Sequence, residues 1–236
     1  MIYLNKTEAR RAKARPKRNM SDKICYIIGA GECAPLNFIP RTNDIVIAAD
    51  GGLEYLKSAN IAPDLIIGDF DSLSYAPQGE RVIRLKPEKD DTDAYHAARL
   101  ALEKGYRHFY IYGGTGGRLA HTLSNIQLLE HIAEQGGRGY LIGKNEILTV
   151  LRNGNLEFLP EAAGYISIFA VNGTARSVTL SGLKYPLNNY TMTCSYPIGT
   201  SNEFTGRAAR VEVKSGSLLI VFHSESISLP IVKPFD

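Results

Sequence analysis

In the stretch Leu65-Ile66-Ile67-Gly68-Asp69-Phe70-Asp71-Ser72, three apolar side chains run straight into two carboxylates. An apolar run without polar alternation reads as a strand covered on both faces, the condition of a parallel sheet between two layers. If Asp69 and Asp71 leave that run still extended, the period-two alternation of a strand turns both carboxylates to one side and Phe70 to the other. Paired hard oxygen ligands suit magnesium. Their place at the end of a buried strand, beside a glycine that lets a ligand approach the backbone, points to chemistry on a metal-bound phosphate. The competing structural reading is a solvated turn, where Asp is common.

The same texture continues on both sides. Apolar runs at residues 24–28, 44–49, 65–67, 82–85, 108–112 and 139–142 alternate with helix-like stretches. Residues 93–104 place Ala94, Ala97, Ala98 and Ala101 on one face and stop at Gly105. Residues 119–135 repeat Leu119, Leu123, Ile126 and Ala133 and stop at Gly136-Gly137. Both read as amphipathic helices with glycine stops. After about residue 145, short segments rich in Val, Ile, Thr, Tyr and Phe lie between Gly, Asn and Pro turns, which implies a small sandwich. The expected fold is an α/β N-terminal domain with a mostly parallel sheet (23–145), then an all-β sandwich C-terminal domain (146–236). Residues 1–22 form a basic leader that reads as disordered.

Charge is unevenly placed. The first 23 residues hold eight Lys or Arg against Glu8 and Asp22, so the remaining chain is slightly acidic although the total is +3. A nucleic-acid surface is not indicated. No run approaches membrane-spanning length, and the leader lacks the apolar centre of a secretory signal. Cys25, Cys33 and Cys194 are odd in number and lack metal-ligand spacing, as expected of thiols in a reducing cytoplasm.

Three polar clusters fall at the C-terminal ends of expected strands, where open parallel sheets bind ligands. They are Asp50-Gly51-Gly52, the Asp69 to Ser72 stretch, and Gly113-Gly114-Thr115-Gly116-Gly117-Arg118. The glycine loop precedes a helix, so its amides and the helix N-terminus can receive phosphate, with Arg118 adding a bidentate charge. It is not a Walker A sequence. A fourth cluster, Lys89-Asp90-Asp91-Thr92-Asp93, opens a helix. Asp91 or Thr92 serves as N-cap, leaving carboxylates beyond what one cap requires. Gly29-Ala30-Gly31 imitates a dinucleotide fingerprint, but Pro35 and Pro40 leave no room for the helix that fingerprint needs.

In order, these clusters resemble the thiamine pyrophosphokinase family. The likeness extends to Gly182-Leu183-Lys184-Tyr185-Pro186-Leu187 and Gly199-Thr200-Ser201-Asn202-Glu203-Phe204, and so covers nearly everything but the leader. The resemblance implies transfer of a pyrophosphoryl group from ATP to thiamine with Mg2+. It also implies a homodimer, with the thiamine site between subunits and residues 146–236 as the thiamine-binding part. Carried over by position, Asp69, Asp71 and Asp93 are the metal and catalytic carboxylates. Asp50, Gly51 and the loop Gly113, Gly114, Thr115, Gly116, Gly117 and Arg118 handle ATP, while Ser201 and Asn202 hold thiamine. The family commonly carries Asp just before the histidine of the glycine-loop motif, where this chain has Ala120 before His121. Two other classes remain open. A haloacid-dehalogenase-like phosphatase uses an Asp-x-Asp after its first strand, whereas this pair follows the third. A non-enzymatic thiamine or nucleotide sensor would keep the fold without turnover.

Overall fold

A computed structural model describes residues 23–70, 78–86, 91–223 and 231–234. The basic leader, Asp71, Ser72, Lys89 and Asp90 lie outside the described residues. Six strands open the chain: β1 (Ile24–Ile28), β2 (Ile45–Ala49), β3 (Leu65–Gly68), β4 (Val82–Arg84), β5 (His108–Tyr112) and β6 (Arg138–Ile142). They lie in the order β6-β5-β1-β2-β3-β4 and every neighbouring pair is parallel. Each expected apolar run is a strand, with ends within one residue of the reading.

Both faces of this sheet are covered. Cys25 and Ile27 of β1 pack with Ile47, Ile67 and Ile111 beneath helices α2 (Asp93–Glu103) and α3 (Leu119–Glu134). Ile24, Tyr26 and Ile28 face the other way, against Leu53 and Leu56 of α1 (Gly52–Ser58) and Ala34. The 33–44 crossover contains no helix, and its Phe38 ring stacks on Tyr26 at 4.0 Å. In α2 the alanine face is buried as expected. In α3 the expected face is only half covered: Ile126 and Ala133 pack against the core, but Leu119 and Leu123 are 71% and 54% exposed, and the buried stripe is Asn125, Leu128, Leu129 and Ile132. That stripe has the three-and-four spacing of a core face, whereas Leu119 and Leu123 lie ahead of the region where the helix meets the sheet.

The C-terminal part comprises β7 (Glu146–Phe158), β8 (Tyr165–Ser181), β9 (Leu187–Thr193), β10 (Gly199–Glu203), β11 (Ala209–His223) and β12 (Ile231–Pro234). Three of these are far longer than the sequence suggests, because segments read as separate strands join across Asn172-Gly173 and Ser215-Gly216. Asn153, Asn172, Gly173 and Gly216 have φ of 43°, 55°, 101° and 106°. The left-handed turns that those residues permit are spent on bulges that bend a continuing strand, and the pairing register shifts there. The Asn153 side chain accepts a hydrogen bond from the Gly216 amide at 2.9 Å, so the bends of β7 and β11 coincide. Both halves of each bent strand feed one core: Leu151 and Leu156 of β7, Ile168 and Val178 of β8, Val213 and Ile220 of β11.

No linker separates the two parts. β7 pairs antiparallel with β6, and the described strands form one mixed twelve-stranded sheet, β10-β8-β11-β7-β6-β5-β1-β2-β3-β4, with β9 on β8 and β12 on β7. Helix α3 reinforces this join. Glu130 accepts hydrogen bonds from Arg152 of β7 at 3.0 Å and from Ser217 of β11 at 2.7 Å. Leaving that largely buried carboxylate without its cation is costly, so Arg152→Met is expected to lower stability by about 3 kcal/mol in denaturant titrations. The double variant Arg152→Met/Glu130→Met, which removes both charges, should recover most of that loss.

Candidate active site

Because β1 to β5 are parallel, their C-terminal ends share one edge of the sheet. The chain leaves β1 toward β2 on one side and places β5 on the other, which makes the β1/β5 crevice the topological switch point. The loops there are closely joined. The Gly29 amide donates to the Tyr112 carbonyl at 2.8 Å, Gly31 to Gly113 at 2.8 Å, and Glu32 to Thr115 at 2.9 Å. Gly113 has φ 61°, and a Cβ on it would overlap the Gly29 carbonyl oxygen, so no larger residue fits. From inside, the Asn125 amide group of α3 donates to the Gly114 carbonyl at 2.8 Å, fixing the glycine loop to its own helix.

Arg118 occupies the N-cap position of α3, but its side chain makes no capping hydrogen bond and no acidic residue lies in the first turn. A sixteen-residue helix thus starts directly after the glycine loop beside an exposed guanidinium, an arrangement suited to polyanions. Ala120 and His121 are exposed in the same turn.

Asp50 and Asp69 stand at the ends of adjacent strands. The Asp50 amide donates to the Ile67 carbonyl at 2.8 Å, and Asp50 has φ 50°. Behind it, α1 begins at Gly52, where a Cβ would overlap the Ile28 carbonyl oxygen, so the helix starts hard against β1. Gly68 packs on Asp50, a Cβ there lying 3.1 Å from the Asp50 Cα. Beyond Gly68 the chain departs from expectation. Phe70 has φ 64°, so the extended alternation ends before Asp71 and cannot be used to aim the two carboxylates to one side. Phe70 is instead turned inward, 5% exposed, with the Arg84 guanidinium 5.9 Å from its ring centre. Asp93 opens α2, which packs across β1, β2 and β3 with its N-terminus on the same edge. The Thr92 hydroxyl accepts from the Tyr95 amide at 3.2 Å, so capping does not require Asp93.

Asp50 and Asp69 present hard oxygen donors, as a magnesium ion requires. Among the described residues no three carboxylates, imidazoles or thiols converge into a closed cage.

Ser201 and Asn202 lie elsewhere, on β10, eight strand-to-strand steps from β3. Ser201 is exposed at a bulge with φ 54°. Asn202 is buried and internally engaged: its Oδ1 accepts from the Tyr185 and Glu203 amides at 2.9 Å each, and its Nδ2 donates to the Tyr185 carbonyl at 2.7 Å. It therefore clamps the 182–187 segment to β10 and displays Tyr185, which is 57% exposed. Next to this clamp, Lys184 bonds Glu203 at 2.7 Å, which raises its pKa. A cleft of about 710 Å³ opens on the other side, between Lys184, Thr205 and Arg207. Sequence reading missed Tyr185 as a displayed ring, although the motif that contains it was apparent.

Fold and edge together define an open α/β protein whose ligand-binding edge carries a glycine loop, a helix N-terminus and the carboxylates Asp50 and Asp69. Residues 39–141 match the family model for the thiamin pyrophosphokinase catalytic domain, and residues 155–218 the model for the thiamin pyrophosphokinase vitamin B1 binding domain. Thiamine pyrophosphokinase of Bacillus subtilis is 32% identical over 213 residues, covering 84% of this chain and 98% of that protein. Thiamin pyrophosphokinase 1 of Caenorhabditis elegans is 30% identical, covering 74% and 76%. The crystal structure of the Bacillus subtilis enzyme superposes with a TM-score of 0.77 at 30% identity, covering 86% of this chain and all of that one. That of Geobacillus thermodenitrificans gives 0.74 at 29%, covering 87% and 100%. The chain belongs to the thiamine pyrophosphokinase family.

Proposed function

We propose that this protein transfers a pyrophosphoryl group from ATP to the hydroxyethyl oxygen of thiamine, giving thiamine diphosphate and AMP. The observation that carries this reading is the succession of both family domains along one chain, with 98% of the Bacillus subtilis enzyme covered. In this reaction the thiamine oxygen bonds to the β-phosphorus, the bridging bond to the α-phosphate breaks, and AMP leaves with that bridging oxygen.

The glycine loop from Gly113 to Gly117 and the opening amides of α3 receive the polyphosphate, and Arg118 adds a guanidinium that binds phosphate oxygens in pairs. Asp50 and Gly51 bound the nucleotide side. Asp69, Asp71 and Asp93 hold Mg2+, which when bound neutralises phosphate charge and fixes the donor's orientation. Asp71 or Asp93 takes the proton released by the thiamine hydroxyl. Positioning and charge stabilisation supply most of the acceleration.

Thiamine is held at Ser201 and at the segment that Asn202 clamps. Within one chain those groups are roughly 38 Å along the sheet from Asp69, at about 4.8 Å per strand. This separation supports a homodimer in which β10 of one protomer completes the site of the other. Residues 23–145 act as the α/β catalytic domain and 146–236 as a β-sandwich whose two layers are the halves of the bent strands. No described helix is long and apolar enough to cross a membrane. The three free cysteines support a cytoplasmic location.

The test is one assay containing ATP, thiamine and magnesium, with thiamine diphosphate and AMP followed together. Equal formation of both products is expected. Binding of thiamine without ATP consumption would favour a sensor, and a trapped aspartyl-phosphate would favour the phosphatase class.

A further inference from the structure

Three segments meet beside the glycine loop, and one carries a cation that the motifs do not include. β6 is parallel to β5, so the turn Gly143-Lys144 after it lies on the ligand-binding edge. The Gly143 amide donates to the Glu146 carbonyl at 2.9 Å, and Gly143 sits against Thr115, whose Oγ1 would be 3.0 Å from an added Cβ. From the β1 side, Glu32 is tied to Thr115 through its amide, and its side-chain methylenes lie directly over Gly116. The Lys144 ammonium then meets the Glu32 carboxylate at 3.5 Å, spanning the loop from one flank to the other.

We propose that Lys144 is an ATP-binding residue parked on Glu32, and that it transfers from this carboxylate to the polyphosphate when the nucleotide enters. This inference rests on the assignment of the glycine loop to ATP. Both partners are more than half exposed, 58% and 59%, and an ion pair so wet holds its members only weakly. A triphosphate offers the same ammonium several negative charges across a distance that one flexible side chain can cover. Glu32 plays the opposite part. Standing over Gly116, its carboxylate repels phosphate when its cation is elsewhere, so the pair keeps the loop electrically quiet until a polyanion displaces it.

The two partners therefore have effects of opposite sign, which a purely structural latch would not produce. Calorimetry of ATP and of AMP binding to the full chain distinguishes them. Lys144→Met is expected to raise the Kd for ATP about tenfold, as for loss of one charged hydrogen bond. Glu32→Gln, which retains the methylenes over Gly116, should lower it about threefold by removing the repulsion. AMP, lacking the β- and γ-phosphates, should bind each variant within about twofold of the parent, and the salt dependence of ATP binding should flatten in Lys144→Met. An unchanged ATP Kd in Lys144→Met, or weaker ATP binding in Glu32→Gln, overturns the proposal. Arg118→Ala serves as the control. If it weakens ATP binding while Lys144→Met does not, Lys144 alone is misassigned, and if neither changes binding the loop itself is not the ATP site.

Discussion

Replacing Asp69 with Asn lowers thiamine-dependent AMP release by about 10³-fold, the scale of losing one preorganised group that acts on developing phosphate charge. The substitution keeps the shape of the side chain and removes its charge. Asp69 is only partly buried at the end of β3, so unfolding free energy should change by no more than about 1 kcal/mol. Steady-state rates across a magnesium titration, paired with thermal melts, measure both quantities. ATP binding without magnesium should be little altered, since the glycine loop and Arg118 lie across β1 and β2 from this carboxylate. Asp71→Asn should give the same loss. Near-normal AMP release by either variant removes that residue from the metal site.

The second expected result is recovery of activity from two dead proteins. Asp69→Asn disables the nucleotide side, and Ser201→Arg sets a cation at the proposed thiamine site. Each variant alone should be nearly inactive. Mixed in equal amounts and allowed to exchange subunits, they should regain about a quarter of the parental rate. Half of the randomly formed dimers are mixed, and each mixed dimer has one site built from two intact contributions. A site contained within one chain gives no recovery at any mixing ratio. The roughly 38 Å between β10 and β3 along the sheet makes the shared site the expected outcome.

The buried strands were legible because apolar runs such as 24–28 and 108–112 are sharply bounded, and the alanine face of α2 survives in any reading with helical period. Errors arose where one residue type serves two purposes. Asp50-Gly51-Gly52 reads as a polar cluster after a strand, yet Gly52 also starts α1, where only hydrogen fits against the Ile28 carbonyl. Asn172-Gly173 reads as a turn between two short strands, yet its left-handed backbone bends β8 without ending it. Leu119 and Leu123 have helical spacing, and only the sheet below determines which face of α3 it covers. At the site, Asp50, Asp69 and the glycine loop could be found from their place after apolar runs. The left-handed Phe70 could not, since φ above zero is uncommon for a bulky residue and nothing nearby announces it. Nor could the Glu32–Lys144 pair, whose members are brought together only by the parallel order of β1, β5 and β6.

The ladder between β6 and β7 also bears on how such chains can be recombined. The second family match begins at residue 155, inside β7, so the apparent seam falls within a paired strand whose bend is shared with β11. A chimaera cut at that seam would join a β7 from two parents and would have to rebuild the ladder between residues 146–152 and 217–223 across the parental boundary. Crossovers that keep residues 138–158 and 209–223 from the same parent preserve both ladders and the Glu130 contact partners. Substrate halves from different relatives are therefore exchangeable only with their common spine, which makes the spine, and not the catalytic loops, the heritable unit of this architecture.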